Sequence, residues 1–166
     1  MRTPVLMLIF GSMYFAGCVS FPKSSMRIFP NGTYQQQIIV DQRTTQETKH
    51  HQLGAILVTE EEKISIIGLS PFQTTLFRMH GDRFGMAVDF VDPKFEENQS
   101  YLNMMGSFIR DVAWRNRSQV IKNKWQSRGI EIETLEKDEN SIFRNIQMHH
   151  ANFDANIRTL SYELNK

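Results

Sequence analysis

Five histidines, eighteen carboxylates and a single cysteine, Cys18, are the side chains of this 166-residue chain from which chemistry would be expected. The histidines come as two adjacent pairs, His50-His51 and His149-His150, with His80 alone. Neighbouring residues on a strand point to opposite faces, so neither pair can chelate one ion comfortably. No H-x-H or H-E-x-x-H spacing occurs that would set two imidazoles on one face. Solvated or edge histidines are the expectation. Glu60-Glu61-Glu62 reads as a charged hairpin turn, Asp138-Glu139 as part of a solvated loop, and Arg110-Asp111 with Arg115 and Arg117 as a solvated helix face, with a polar rim around the helix end as the less common alternative. There is no G-x-S-x-G elbow and no Gly-rich phosphate loop. A non-enzymatic protein without metal or diffusible cofactor is therefore expected, and the N-x-[ST] matches at Asn31, Asn98 and Asn116 read as chance.

Cys18 stands apart because of what precedes it. Arg2 supplies a positive start, and Val5 to Ala16 form a mostly apolar run of signal-peptide length, too short for a bilayer-spanning helix. Phe15-Ala16-Gly17-Cys18 resembles the lipobox of bacterial lipoprotein precursors, with Phe15 where leucine is usual. The resemblance implies removal of residues 1–17 as a signal peptide, a diacylglyceryl unit on the Cys18 thiol and an acyl chain, palmitate in kind, on the new amine. Each buried methylene contributes about 0.8 kcal/mol and two chains already anchor stably, so three would tether the chain without spanning the membrane. Val19 rather than aspartate follows the cysteine, which favours an outer-membrane, periplasm-facing address. The alternative is an ordinary secreted protein cut elsewhere, with Cys18 an idle thiol.

Nineteen Lys and Arg against eighteen Asp and Glu leave a formal charge of +1. No strong field favours nucleic acid or an anionic surface. With no second cysteine, neither a disulfide nor thiolate catalysis is expected after acylation. The residues from Cys18 onward suffice for one domain with a real core.

Residues 18–32, with Pro22, Pro30 and Gly32, read as a lipidated N-terminus and tether; residues 33–166 read as one domain. Five runs with strand character follow: Thr33 to Asp41, Glu47 to Thr59, Lys63 to Leu69, Thr74 to His80 and Phe84 to Val91. Turn residues and charges separate them, and the connections are too short for crossover helices, so an antiparallel meander is expected. Tyr34, Ile38 and Val40 share a face; Phe84, Met86 and Val88 share another. The period then changes. From Phe95 to Trp114 apolar residues recur at helical spacing, with Asp92-Pro93 as the start. A second helix over Ser118 to Ser127, stopped by Gly129, is expected next. Strand patterns return at Ile130 to Thr134, Ile142 to Met148 and Ile157 to Leu164.

The segment Gly68-Leu69-Ser70-Pro71-Phe72-Gln73-Thr74-Thr75-Leu76-Phe77 resembles the common stretch, roughly T-P-F-G-Q-R-L-F, of an uncharacterised bacterial outer-membrane lipoprotein family. More distantly it resembles the outer-membrane lipoprotein receptor LolB. Gln73 stands where glycine is usual. The resemblance implies an α+β fold: a curved antiparallel β-sheet, an unclosed barrel of the LolA/LolB kind, wrapped over one or two helices with an apolar cavity between. It implies Leu76, Met86, Val88, Tyr101, Met105, Phe108 and Ile109 as cavity lining, and Pro71 and Phe72 as a membrane or cargo-release turn. Ten phenylalanines and six methionines after Cys18 would suit such a lining, and would equally fill an ordinary core. Two functions follow as expectations. One is a carrier or receptor for acyl chains or the lipid moieties of lipoproteins; the other is an assembly lipoprotein holding an envelope protein partner.

Overall fold

The computed structural model describes Lys23 and residues 26–43, 45–116, 123–127 and 129–165, of Ser100 the backbone only. Cys18 and the expected signal peptide lie outside the described residues. β1 (Gly32–Arg43), β2 (Thr48–Thr59), β3 (Ile64–Leu69), β4 (Thr75–Gly81) and β5 (Met86–Val91) form one meander. A 3₁₀ segment, Pro93–Asn98, and helix α1, Gln99–Ala113, lead to a second meander: β6 (Lys124–Ser127), β7 (Ile130–Lys137), β8 (Phe143–His150) and β9 (Phe153–Leu164). Antiparallel pairing of β1 with β9 joins the two into a nine-stranded sheet ordered β5-β4-β3-β2-β1-β9-β8-β7-β6. Its edge strands, β5 and β6, do not pair with each other, so the sheet is an unclosed barrel. The expected fold class is the observed one.

Alternation explains the strands. In β1 the even positions Tyr34, Ile38 and Val40 are buried while Gln35 and Arg43 face solvent. The same parity continues across the sheet: Ile146, Ile157 and Ile38 are successive cross-strand neighbours ending on Leu53, and Met148, Ala155 and Val40 end on His51. These rows and the apolar stripe of α1 form one core cluster, which includes Phe108, Ile109 and Val112. No helix among the described residues is long and apolar enough to cross a membrane.

Three expectations change. The second helix is absent over Lys124 to Ser127, which is strand β6, paired with β7 so that Trp125 faces inward beside Ile132; Ser118 to Lys122 lie outside the described residues. Gly129, at φ +78°, serves the tight β6–β7 hairpin rather than a helix end. Phe84 is not in β5: Asp82 Oδ1 accepts the Phe84 and Gly85 N–H groups in a turn that leaves Phe84 exposed. Finally, the tether reading stops short of Gly32. Residues 26–31 form a strap in which Ile28 N donates to Arg115 O (2.9 Å) and Phe29 N to Ala113 O (3.4 Å), with Ile28 and Phe29 buried.

Strand directions give the molecule two ends. At one lie the strap, the β2–β3, β4–β5 and β7–β8 turns and the last residue of α1. At the other lie the β1–β2, β3–β4 and β8–β9 turns, the 3₁₀ segment and the first turn of α1.

Candidate functional site

The strap closes its end of the half-barrel. Arg27, only 2% exposed, donates from Nη1 and Nη2 to the Glu60 and Glu61 carbonyls at 3.1 and 2.9 Å and lies 6.0 Å from the Trp114 ring. Burial pulls its guanidinium below the ordinary value and the nearby Glu61 carboxylate opposes this. The Pro30 carbonyl accepts from both the Tyr34 and Thr59 hydroxyls at 2.6 Å. The Arg27, Tyr34 and Thr59 donors are all partnered by backbone carbonyls, so this end is a plug.

The opposite end holds a cavity of about 60 Å³ between the concave face of the sheet and α1. Ile38 and Val40 of β1, Leu53 of β2 and Phe77 and Met79 of β4 form its floor. Phe95 of the 3₁₀ segment and Tyr101, Met105 and Ile109 of α1 form its roof. Gly68 is what lets Phe77 lie there. The two residues face each other across β3 and β4, and a Cβ at Gly68 would collide with the phenyl ring. That ring stacks in turn on Phe95, centroids 6.0 Å apart. The lining is almost wholly carbon; Gln42, His51, Asn98 and the Tyr101 hydroxyl bring the polar atoms.

Of the seven residues expected to line a cavity, Tyr101, Met105 and Ile109 do so. Phe108, 1% exposed, is turned into the packed core instead, and Leu76, Met86 and Val88 pack against that core outside the cavity wall. Six of the nine floor and roof positions escaped the sequence reading, Ile38, Val40, Leu53, Phe77, Met79 and Phe95, and so did His51 among the polar lining. The inward parity of β1 already flagged the first two. Gly68 placed opposite Phe77 is the signal that could have found the third aromatic wall.

At the same end projects the β3–β4 turn. Gln73 N donates to Ser70 O (2.9 Å), with Pro71 and Phe72 at the two central positions of a β-turn. Ser70 Oγ accepts from Phe72 N and Thr74 N, both at 3.2 Å, and Ser70 N donates to Thr74 O at 2.8 Å. Gln73 takes φ +62°, the left-handed conformation glycine would adopt freely, at some steric cost. The result is a stiff turn carrying Phe72 at 90% exposure. An apolar side chain held out in this way contributes nothing to the core.

The histidines do not gather. His50, His80 and His149 each meet an aspartate, Asp41, Asp89 and Asp154, at 2.6, 2.6 and 2.9 Å. His150 Nδ1 accepts from Asn152 N at 3.2 Å. Among the described residues no three His, Cys, Asp or Glu side chains could hold a metal ion together. The Asp154 carboxyl is held below its usual range, chiefly by the His149 hydrogen bond, with Arg43 adding and burial opposing.

No family model matches the chain, and no curated protein does. A solved structure does: the crystal structure of a LolA superfamily protein from Nitrosomonas europaea aligns with a TM-score of 0.54 over 87% of this chain and 90% of that one, at 8% identity. At that identity the likeness is one of fold, and the fold of this chain is that of the LolA superfamily.

Proposed function

We propose that this protein binds acyl chains, free or carried by lipoproteins, without catalysing a reaction, and that it does so at the periplasmic face of the outer membrane, anchored by lipid on Cys18. The observation that carries the reading is the carbon-lined cavity under α1 in a LolA-superfamily fold. Ligand pockets span about 300–1,000 Å³, so a cavity of about 60 Å³ takes a hydrocarbon chain only when its roof lifts. The roof suits that. It is one helix and a 3₁₀ segment laid on the sheet, and Met105 of the roof and Met79 of the floor have side chains that repack at little cost. Phe72, on the rim, would dip into the bilayer interface and help cargo leave.

The test is titration of the mature protein with a fluorescent fatty acid, alongside Met105→Trp, which fills the cavity with an indole. Saturable uptake that the variant loses while keeping its unfolding midpoint supports the reading. Absence of saturable uptake by the unmodified protein would refute it. The small resting volume favours a second reading in that event: an assembly lipoprotein whose cavity is occupied by its own side chains and which holds an envelope protein partner. The anchor has its own test. Cys18→Ser should abolish lipid labelling and leave an uncleaved or mis-cleaved precursor; labelled mature protein in that variant would sink the lipoprotein assignment.

A further inference from the structure

Two residues that line the cavity each carry a polar atom that the protein does not serve. His51 Nε2 and Tyr101 Oη are both shielded from solvent and neither has a hydrogen-bond partner. They enter from opposite walls, His51 from β2 and Tyr101 from the first turn of α1. Arg115 Nε, Trp125 Nε1 and Asn145 Oδ1 are likewise shielded and without a hydrogen-bond partner elsewhere. What makes His51 and Tyr101 informative is that both line one carbon-walled cavity while the other described histidines and phenols are partnered. The other four histidines each have a partner, three an aspartate and one a backbone N–H. Tyr34 and Tyr162, the phenols at the closed end, donate to the Pro30 carbonyl and to Asp138. A buried polar atom left unmet costs about 1–3 kcal/mol, so two in one carbon-lined space call for a partner from outside the chain.

We propose that His51 and Tyr101 hold the carbonyl oxygen of an acyl ligand, fixing its polar end between β2 and α1 while the hydrocarbon runs over Phe77, Met79 and Met105. This rests on the acyl-binding reading and adds to it a polar end, a polarity of entry and two specificity-determining residues. The donor chemistry fits. Burial raises the Tyr101 phenol above its ordinary value, so it remains a protonated donor throughout the physiological range. His51 supplies a second donor in the tautomer with the proton on Nε2. An acyl oxygen has two lone pairs and can accept from both. A bare hydrocarbon can satisfy neither. The carboxyl of a free fatty acid and the ester carbonyl of a lipid both offer this oxygen.

Competition binding on the mature protein with palmitic acid, methyl palmitate and the alkane of equal length separates these cases. The unmodified protein should favour the two oxygen-bearing probes over the alkane. Tyr101→Phe and His51→Leu should each weaken them by about three- to tenfold, the worth of one neutral hydrogen bond, and leave alkane affinity unchanged. Losses confined to palmitic acid assign the free carboxyl; equal losses for acid and ester assign the carbonyl they share. Tyr101→Phe removes one oxygen without changing the ring, so the ligand-free variant should unfold at the same temperature or slightly higher, which shows that the loss is not one of folding. Equal affinity for all three probes, or variants that weaken the alkane as much as the acid, would overturn this inference and leave acyl binding intact. Failure to bind any of the three overturns acyl binding itself and the inference with it.

Discussion

The two ends of the half-barrel are built from the same strands and differ in almost everything else. At the strap end Arg27, Tyr34 and Thr59 have their polar atoms paired with backbone carbonyls and Phe29 packs edge-on to Tyr34, centroids 5.0 Å apart. At the rim end His51 and Tyr101 are unpaired, a cavity separates helix from sheet and Phe72 projects into solvent. A protein optimised only for stability would fill both ends alike. The asymmetry separates the end tied by the strap's hydrogen bonds from the end that carries the carbon-lined cavity and the exposed turn.

Four perturbations sharpen or break that contrast. The largest effect belongs to the core. Phe108→Ala should cost about 3–5 kcal/mol in urea unfolding, and added fatty acid should not change that cost, because the ring faces packed side chains and not the cavity. A cost that shrinks when ligand is added would put Phe108 in the binding wall after all. Next is Arg27→Met, which keeps much of the volume and deletes the donors to Glu60 and Glu61; a loss of about 2–3 kcal/mol is expected, with fatty-acid affinity unaffected. Weakened binding would show that the plug and the cavity are mechanically coupled.

The third perturbation is acid. Asp138 ties the β7–β8 turn at the closed end, accepting from the Asn140 and Ile142 N–H groups at 3.0 Å and from Tyr162 at 2.8 Å beside Arg144. Burial alone would raise its carboxyl; the Ile142 and Tyr162 hydrogen bonds and the Arg144 charge outweigh it and hold the group below the usual carboxylate range. A depressed folded value means the stabilisation is complete above the unfolded value and is lost as pH falls through the folded one. Unfolding midpoints should therefore be flat above about pH 5 and fall below about pH 4, and Asp138→Ala should remove part of that fall and about 2 kcal/mol at neutral pH. A variant whose midpoint falls as steeply would clear Asp138 and leave Asp154, at the other end, and Asp82, in the β4–β5 turn, as the other carboxylates held low. The smallest effect on stability, within about 0.5 kcal/mol, is expected for Phe72→Glu, since the ring buries nothing. Its effect should appear in transfer of a fluorescent acyl ligand to liposomes, because a carboxylate resists entry into the apolar layer. Unchanged transfer would remove the turn from the mechanism.

What could be read from the sequence was what is locally encoded. The inward parity of Tyr34, Ile38 and Val40, the helical stripe from Tyr101 to Val112 and the Ser70-Pro71 turn all follow from spacing within a few residues, and all appear as expected. The misses are long-range. Arg27 looks like a tether residue until the carbonyls of Glu60 and Glu61, more than thirty positions away, are folded against it. Trp125 read as one side of a helix because its pairing with Ile132 lies across a hairpin. Phe108 and Met105 share one apolar stripe, and only the position of the sheet decides that one is core and the other roof. The special role of His51 was invisible for the same reason: an unpaired atom is defined by its whole surroundings.

The strap also fixes how a lipidated molecule would stand. Its chain enters at the closed end, and the seven residues from Val19 to Ser25 can reach at most about 25 Å. The twelve residues of β1 span about 40 Å in the other direction. If the proposed anchor is present, an upright molecule would hold its mouth and Phe72 beyond reach of that bilayer, the posture that would suit receiving cargo. To touch the same membrane with its rim it must topple until the strands lie along the surface, the posture for delivery. Neutron reflectometry of the lipidated protein on a supported bilayer distinguishes the two: an upright layer is about 40 Å thick and a toppled one markedly thinner. A layer that never thins when acyl cargo is supplied would mean that the exposed phenylalanine meets a different partner from the membrane in which the proposed anchor would sit.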